Sequence, residues 1–161
     1  MLALSFLQPW VWLLLKGFKD VENRDQRPWA KALGQRIALH ASRGWADDAV
    51  GFARELVSAE VAGLTAAAPR GAIVGTAILA GAVEVEPTDD TCDTLRAVQV
   101  VGELAQAQVD QVLRSKWTFG RWGLVFVERH ELVEPIPCRG ALGYWRVSED
   151  VAAALAATEG R

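Results

Sequence analysis

The spacing of apolar positions changes several times along the chain, and each change predicts an element. Pro9 suits the first turn of a helix, and Trp10 to Leu15 are apolar without interruption until Gly17, a residue type that stops helices. A helix that is apolar nearly all round must be covered, so this one is expected against a sheet or a barrel mouth. From Gln35 to Ser42 the period becomes two. Ile37, Leu39 and Ala41 alternate with Arg36, Ala38, His40 and Ser42, which predicts a half-buried strand carrying Arg36, His40 and Ser42 on its polar face. Behind Asp47 and Asp48, the residues Ala49, Val50, Ala53, Leu56, Val57 and Val61 fall on one face of a helix.

Ala72 to Val85 reads as a long strand bounded by Gly71 and Pro87, with Gly75 and Gly81 where a bulge or sharp bend is allowed. Pro87 to Arg96 is expected as an acidic loop and Glu103 to Ser115 as a helix. Trp122 to Val133 is a strand, PIPCRG a turn, Leu142 to Val147 a short strand, and Ser148 the start of a closing helix. Strands separated by turns, with helices inserted irregularly, predict one α+β domain over residues 1–161. Its centre is a small mixed β-barrel with flanking helices, an acidic insertion around 87–116 and a C-terminal helix.

Charge changes this picture locally. The formal net charge is -3, which argues against a general positive field for nucleic acid. Yet Lys16 to Trp45 holds seven basic residues against three acidic ones, while Glu84, Glu86, Asp89, Asp90 and Asp93 follow one another with no base between them. Two cysteines, Cys92 and Cys138, show neither a disulfide framework nor metal-ligand spacing, so no metal is expected. No Walker loop or GxGxxG turn points to a cofactor, and none is expected. The apolar start lacks a basic leader and is interrupted by Gln8 and Pro9, and GAIVGTAILAGAV is short for a membrane helix. The expectation is a cytoplasmic protein with no membrane partner.

The chemistry concentrates in GFKDVENR, residues 17–24. Lys19, Glu22 and Arg24 place an amine, a carboxylate and a guanidinium within six positions. Beside a carboxylate, Lys19 stays charged and can orient a phosphate or carbonyl. Desolvated without a full partner, it becomes a base or nucleophile. In a regular strand Lys19 and Glu22 point to opposite faces, so they converge only if the backbone turns or bulges. Of seven tryptophans, Trp10, Trp12, Trp122 and Trp145 sit in apolar runs suited to the core, whereas Trp29 and Trp45 flank the basic segment as candidate stacking surfaces.

Gly17, Lys19, Glu22 and Arg24 spell GxKxxExR after the QPW of Gln8 to Trp10. With the HAS of His40 to Ser42, GAIVGTAIL at 71–79 and WGLVFVERHELVEPIPCRGALGYW at 122–145, the chain resembles the ASCH (ASC-1 homology) family of the PUA-like group. The resemblance implies a PUA-like barrel and a cleft where the GxKxxExR residues gather. Members are regarded as RNA- or nucleic-acid-binding modules, some bacterial relatives are amidohydrolases on acetylated cytidine, and some members are reported as ribonucleases.

The leading expectation is recognition of single-stranded RNA or a nucleotide-like small molecule by Lys19, Glu22, Asn23, Arg24, His40, Ser42 and Arg43, with Trp29 and Trp45 for stacking. An enzyme would use Lys19 and Glu22 as catalytic residues. The amidohydrolase relatives have Thr where this chain has Glu22, and a carboxylate does not replace a hydroxyl nucleophile. A protein-interaction module using the acidic stretch is the third reading.

Overall fold

The computed structural model describes residues 1–88 and 94–159. They form two compact units by chain contact: Met1–Phe18, Arg36–Ala77 and Arg129–Arg161 make the first, Lys19–Gln35 and Ile78–Glu128 the second. Strands and helices are mixed without regular alternation, so the α+β class expected from the sequence is the class found.

In the first unit the strands are β1 (Leu2–Gln8), β3 (Arg36–Trp45), β7 (Tyr144–Arg146), the start of β4 (Ala72–Pro87) and the end of β6 (Trp122–Pro137). β1 runs parallel to β3, with Ala3 opposite Ala38 and Phe6 opposite Ala41, and antiparallel to β7 on its other side. β1 had no counterpart among the predicted elements. Its LALSFLQ buries Ala3, Leu4, Phe6 and Gln8, which fall on both parities, so no clean period of two marks it. The same covering corrects the polar face expected of β3. Ile37 to Ala41 are all buried, His40 included, because the strand lies between β1 and β4 and both of its faces are covered.

The six-residue α1 (Trp10–Leu15) buries Val11, Leu13 and Leu14, as an apolar helix must. The helical run expected to reach Val61 breaks into α2 (Asp47–Leu56) and α3 (Ala59–Leu64). Ser58 starts the second helix by accepting a hydrogen bond from Val61 N at 3.1 Å. α5 (Glu149–Glu159) follows Ser148 and contributes Val151 and Leu155 to a core with Ala3, Ala38 and Ile73. The PIPCRG turn begins later than expected, since β6 continues through Pro137.

In the second unit β2 (Glu22–Arg24) pairs antiparallel with β6, and β5 (Leu95–Gly102) pairs antiparallel with β4. Val21, Val83, Val85, Val109, Val112 and Val125 form its core, with α4 (Gln106–Arg114) supplying two of them. The expected acidic loop is therefore shorter than Pro87 to Arg96. Pro87 belongs to β4, Leu95 and Arg96 to β5, and Asp89, Asp90, Cys92 and Asp93 lie outside the described residues. β5 escaped prediction because six of its eight residues are exposed and give no alternating signal. Glu84 is ion-paired with Arg121 at 2.6 Å and Glu86 with Arg96, so these two acids are neutralised by partners distant in sequence or across the hairpin. No helix among the described residues is long and apolar enough to cross a membrane.

Gly75 marks a close approach of backbone to backbone. A Cβ there would stand 2.6 Å from His130 O and 2.8 Å from Leu15 Cδ2. Gly75→Ala is expected to cost about 1–3 kcal/mol by overpacking. Gly51→Ala, in open space within α2, should stabilise by about 0.5–1 kcal/mol through helix propensity. Urea unfolding of both variants checks the opposite signs.

Candidate ligand-binding site

Gly17 adopts φ +79°, a left-handed conformation open to glycine, and so ends α1 and releases the chain into the GxKxxExR segment. Residues 19–21 are not strand, and β2 begins only at Glu22. This irregular stretch overcomes the parity problem. Lys19 folds back so that its Nζ donates to Val21 O and, at 2.7 Å, to Glu22 Oε2. Glu22 and Arg24, two apart in β2, share a face, and Arg24 Nη2 lies 3.0 Å from Glu22 Oε1.

One carboxylate thus bridges two cations, and the three are graded in exposure: the side chains of Lys19, Glu22 and Arg24 are 1%, 8% and 28% accessible. Burial desolvates the Lys19 ammonium and pushes its pKa below the usual 10.5, with the Glu22 charge and hydrogen bond pulling the other way. A solvated turn would not bury these groups. The ammonium is engaged by two acceptors, whereas the guanidinium is the member that reaches toward solvent.

Asn23 has a different task. Its Nδ2 donates to Trp117 O at 2.7 Å, and its Oδ1 accepts from Phe119 N at 3.1 Å and Gly120 N at 3.0 Å. The amide holds the 117–120 turn in place, a role the sequence reading missed because the partners lie more than ninety positions away. Asp20 likewise anchors Ser115, whose Oγ donates to it at 2.5 Å. Trp29, at the start of a short 3-10 turn, is 53% exposed and remains a flat apolar surface in this same unit.

The other expected site residues belong to the first unit. His40 is 3% exposed, with Nδ1 3.2 Å from Ser5 Oγ, Nε2 3.4 Å from Cys138 O and an edge-on contact with Trp145. Ser5 Oγ also donates to Ala141 O at 2.6 Å and accepts from Trp145 Nε1 at 3.0 Å. Gly140 packs directly on the ring, where any Cβ would collide with it. His40 is thereby a buried connector between β1, β3 and the 138–141 turn. Arg43 is exposed, and Ser42 Oγ is buried with no hydrogen-bond partner among the described residues. Trp45 already carries the Arg70 guanidinium 5.6 Å from its ring centre, which covers one stacking face.

No protein-family model matches the chain. Solved structures do. The crystal structure of ASCH from Zymomonas mobilis aligns over 97% of this chain and 93% of its own, with a TM-score of 0.51 and 13% identity. The fold is ASCH-like. A Tyr-to-Phe and a Ser-to-Ala variant of the same Zymomonas protein align with TM-scores of 0.50 at 13% identity, covering 97% of this chain and 96% and 94% of theirs. The ASCH likeness covers nearly the whole chain, both units included.

Two outcomes follow from this geometry. Glu22→Leu leaves a buried ammonium with its carboxylate removed and should cost about 3–5 kcal/mol, while Lys19→Met in the same chain should recover most of that loss in urea unfolding. Burial also holds His40 below its usual 6.5. On acidification the unfolded ring takes a proton that the folded ring still refuses, so this contribution is present above 6.5 and lost as pH falls through the lower folded value. His40→Gln should therefore flatten the decline of Tm between about pH 7 and pH 5, as measured by thermal melts across that range.

Proposed function

We propose that this chain is an ASCH-family module that binds single-stranded RNA or a nucleotide-like ligand through the GxKxxExR segment. Arg24 makes the phosphate contact in this reading, and the buried Lys19–Glu22 pair aims it. The observation that carries the proposal is the graded chain of charges: a carboxylate held by a fully buried lysine presents a guanidinium that is partly exposed. A guanidinium fixed in one orientation suits bidentate contact with a phosphate and loses less freedom on binding than a mobile one. The exposed Trp29 supplies a surface on which a base can stack. The two cysteines, with no bonding framework between them in the sequence, fit a reducing cytoplasm as the compartment.

Hydrolysis has less support. Lys19 is engaged by Val21 O and Glu22, and the β4 carboxylates Glu84 and Glu86 are paired with arginines. Fluorescence anisotropy with a labelled short single-stranded RNA tests the binding reading. Arg24→Ala should weaken binding about tenfold and lower the salt slope by about 0.7, the loss of one phosphate contact. Binding that is unchanged by Arg24→Ala, or product formed from RNA or acylated nucleosides by the wild-type protein, would count against it.

A further inference from the structure

β6 pairs with β4 on one flank and with β2 on the other, but β2 covers only Trp122 to Leu124. Among the described residues no other strand takes that second flank. Which peptide groups face it is set by strand alternation. His130 O approaches Gly75 of β4, and Cys138 N donates at 3.1 Å to Gly71 O just before β4, so the even-numbered residues of this stretch face β4. Glu131, Val133, Pro135 and Pro137 therefore turn their peptide groups the other way. The prolines agree with this, because a residue without an N–H spares the ladder only where its nitrogen faces outward.

Glu131 and Val133 thus each turn an N–H and a C=O to the open flank, and among the described residues neither bonds its main chain to a turn or loop. Val133 is also 100% exposed, although β-branched residues in strands favour packed surfaces. Beside them lies a cleft of about 240 Å³, lined from β6 by residues that include Glu131, Val133 and Pro135, and from elsewhere in the first unit by Trp12, Leu15 and Pro69 among others. Its surface mixes apolar side chains with polar atoms. An extended peptide carries the same mixture, with amides along its edges and side chains alternating between its faces.

We propose that this flank of β6 binds an extended segment of another protein, which pairs antiparallel with Glu131 and Val133. The side chain opposite Val133 lies on the face that lines the cleft, and it is apolar. Its neighbour, opposite Glu134, is basic. Glu134 is exposed and joins no ion pair among the described residues, whereas Glu131 is held by Lys16 at 2.6 Å. A second copy of this chain is the poorer occupant, since pairing the edge with itself sets Pro135 where an N–H donor is needed. None of the GxKxxExR residues takes part.

Calorimetric titration of the full chain with an acetylated, amidated Thr-Val-Lys-Leu-Thr-Val-Thr peptide tests this. In the antiparallel register its leucine meets Val133 and its lysine meets Glu134. N-methylating the leucine amide, which points at β6, should weaken binding at least about tenfold, whereas N-methylating the next threonine amide, which points away, should leave it within about twofold. Val133→Pro should abolish binding while leaving Tm near wild type, because that N–H stands outside the β4 ladder. Glutamate in place of the peptide lysine should weaken binding about threefold, and Glu134→Lys should reverse that preference. Arg24→Ala should leave peptide binding unchanged. No binding by wild type, equal effects of the two N-methylations, a large fall in Tm for Val133→Pro, or binding that survives it would overturn the proposal.

Discussion

An ammonium group removed from water must find acceptors, and the second unit is arranged around the way Lys19 finds them. Val21 O and the Glu22 carboxylate take its hydrogens, which requires residues 19–21 to leave regular strand geometry before β2 begins. β2 is three residues long, enough to set Glu22 and Arg24 on one face and to pair with β6. Val21, between the charged residues, points into the valine core. Replacing the ion pair with apolar groups need not destabilise the fold, but leaving either charge alone would. The proposed role of the arrangement is therefore its effect on Arg24 rather than on stability.

Much of this was legible in the sequence wherever one local rule decided the outcome. Pro9 and Gly17 bracket α1, and the β-branched and apolar runs between glycines and prolines mark β4 and β6. The requirement that Lys19 and Glu22 converge only through a backbone turn came from side-chain parity alone. Elements whose environment is set by distant neighbours were not legible. β1 and β3 are covered on both faces, so His40 looked surface-facing when it is interior. β5 is exposed along most of its length and carries no alternation.

The same distinction holds for the site. The charge mixture of residues 17–24 stands out in one dimension, but its order of burial does not, because burial of Lys19 depends on an irregular turn with no periodic signature. Asn23 looked like a ligand contact by proximity to charge, whereas its amide closes a turn from a remote part of the chain. Gln8 drew notice as part of QPW and as a break in the apolar start, whereas its fully buried carboxamide ties α1 to Pro69. The ASCH-like fold accommodates these details without specifying a ligand, so function has to be argued from the groups themselves.

The central claim is that Glu22 acts through Arg24, holding the guanidinium where an anionic ligand meets it. A double-mutant cycle on single-stranded RNA affinity, using Glu22→Gln, Arg24→Gln and their combination, tests this most directly. The account predicts that Glu22→Gln forfeits most of the affinity lost in Arg24→Gln and that the double variant loses no more than Arg24→Gln alone. Additive losses, or full affinity in Glu22→Gln, would contradict it.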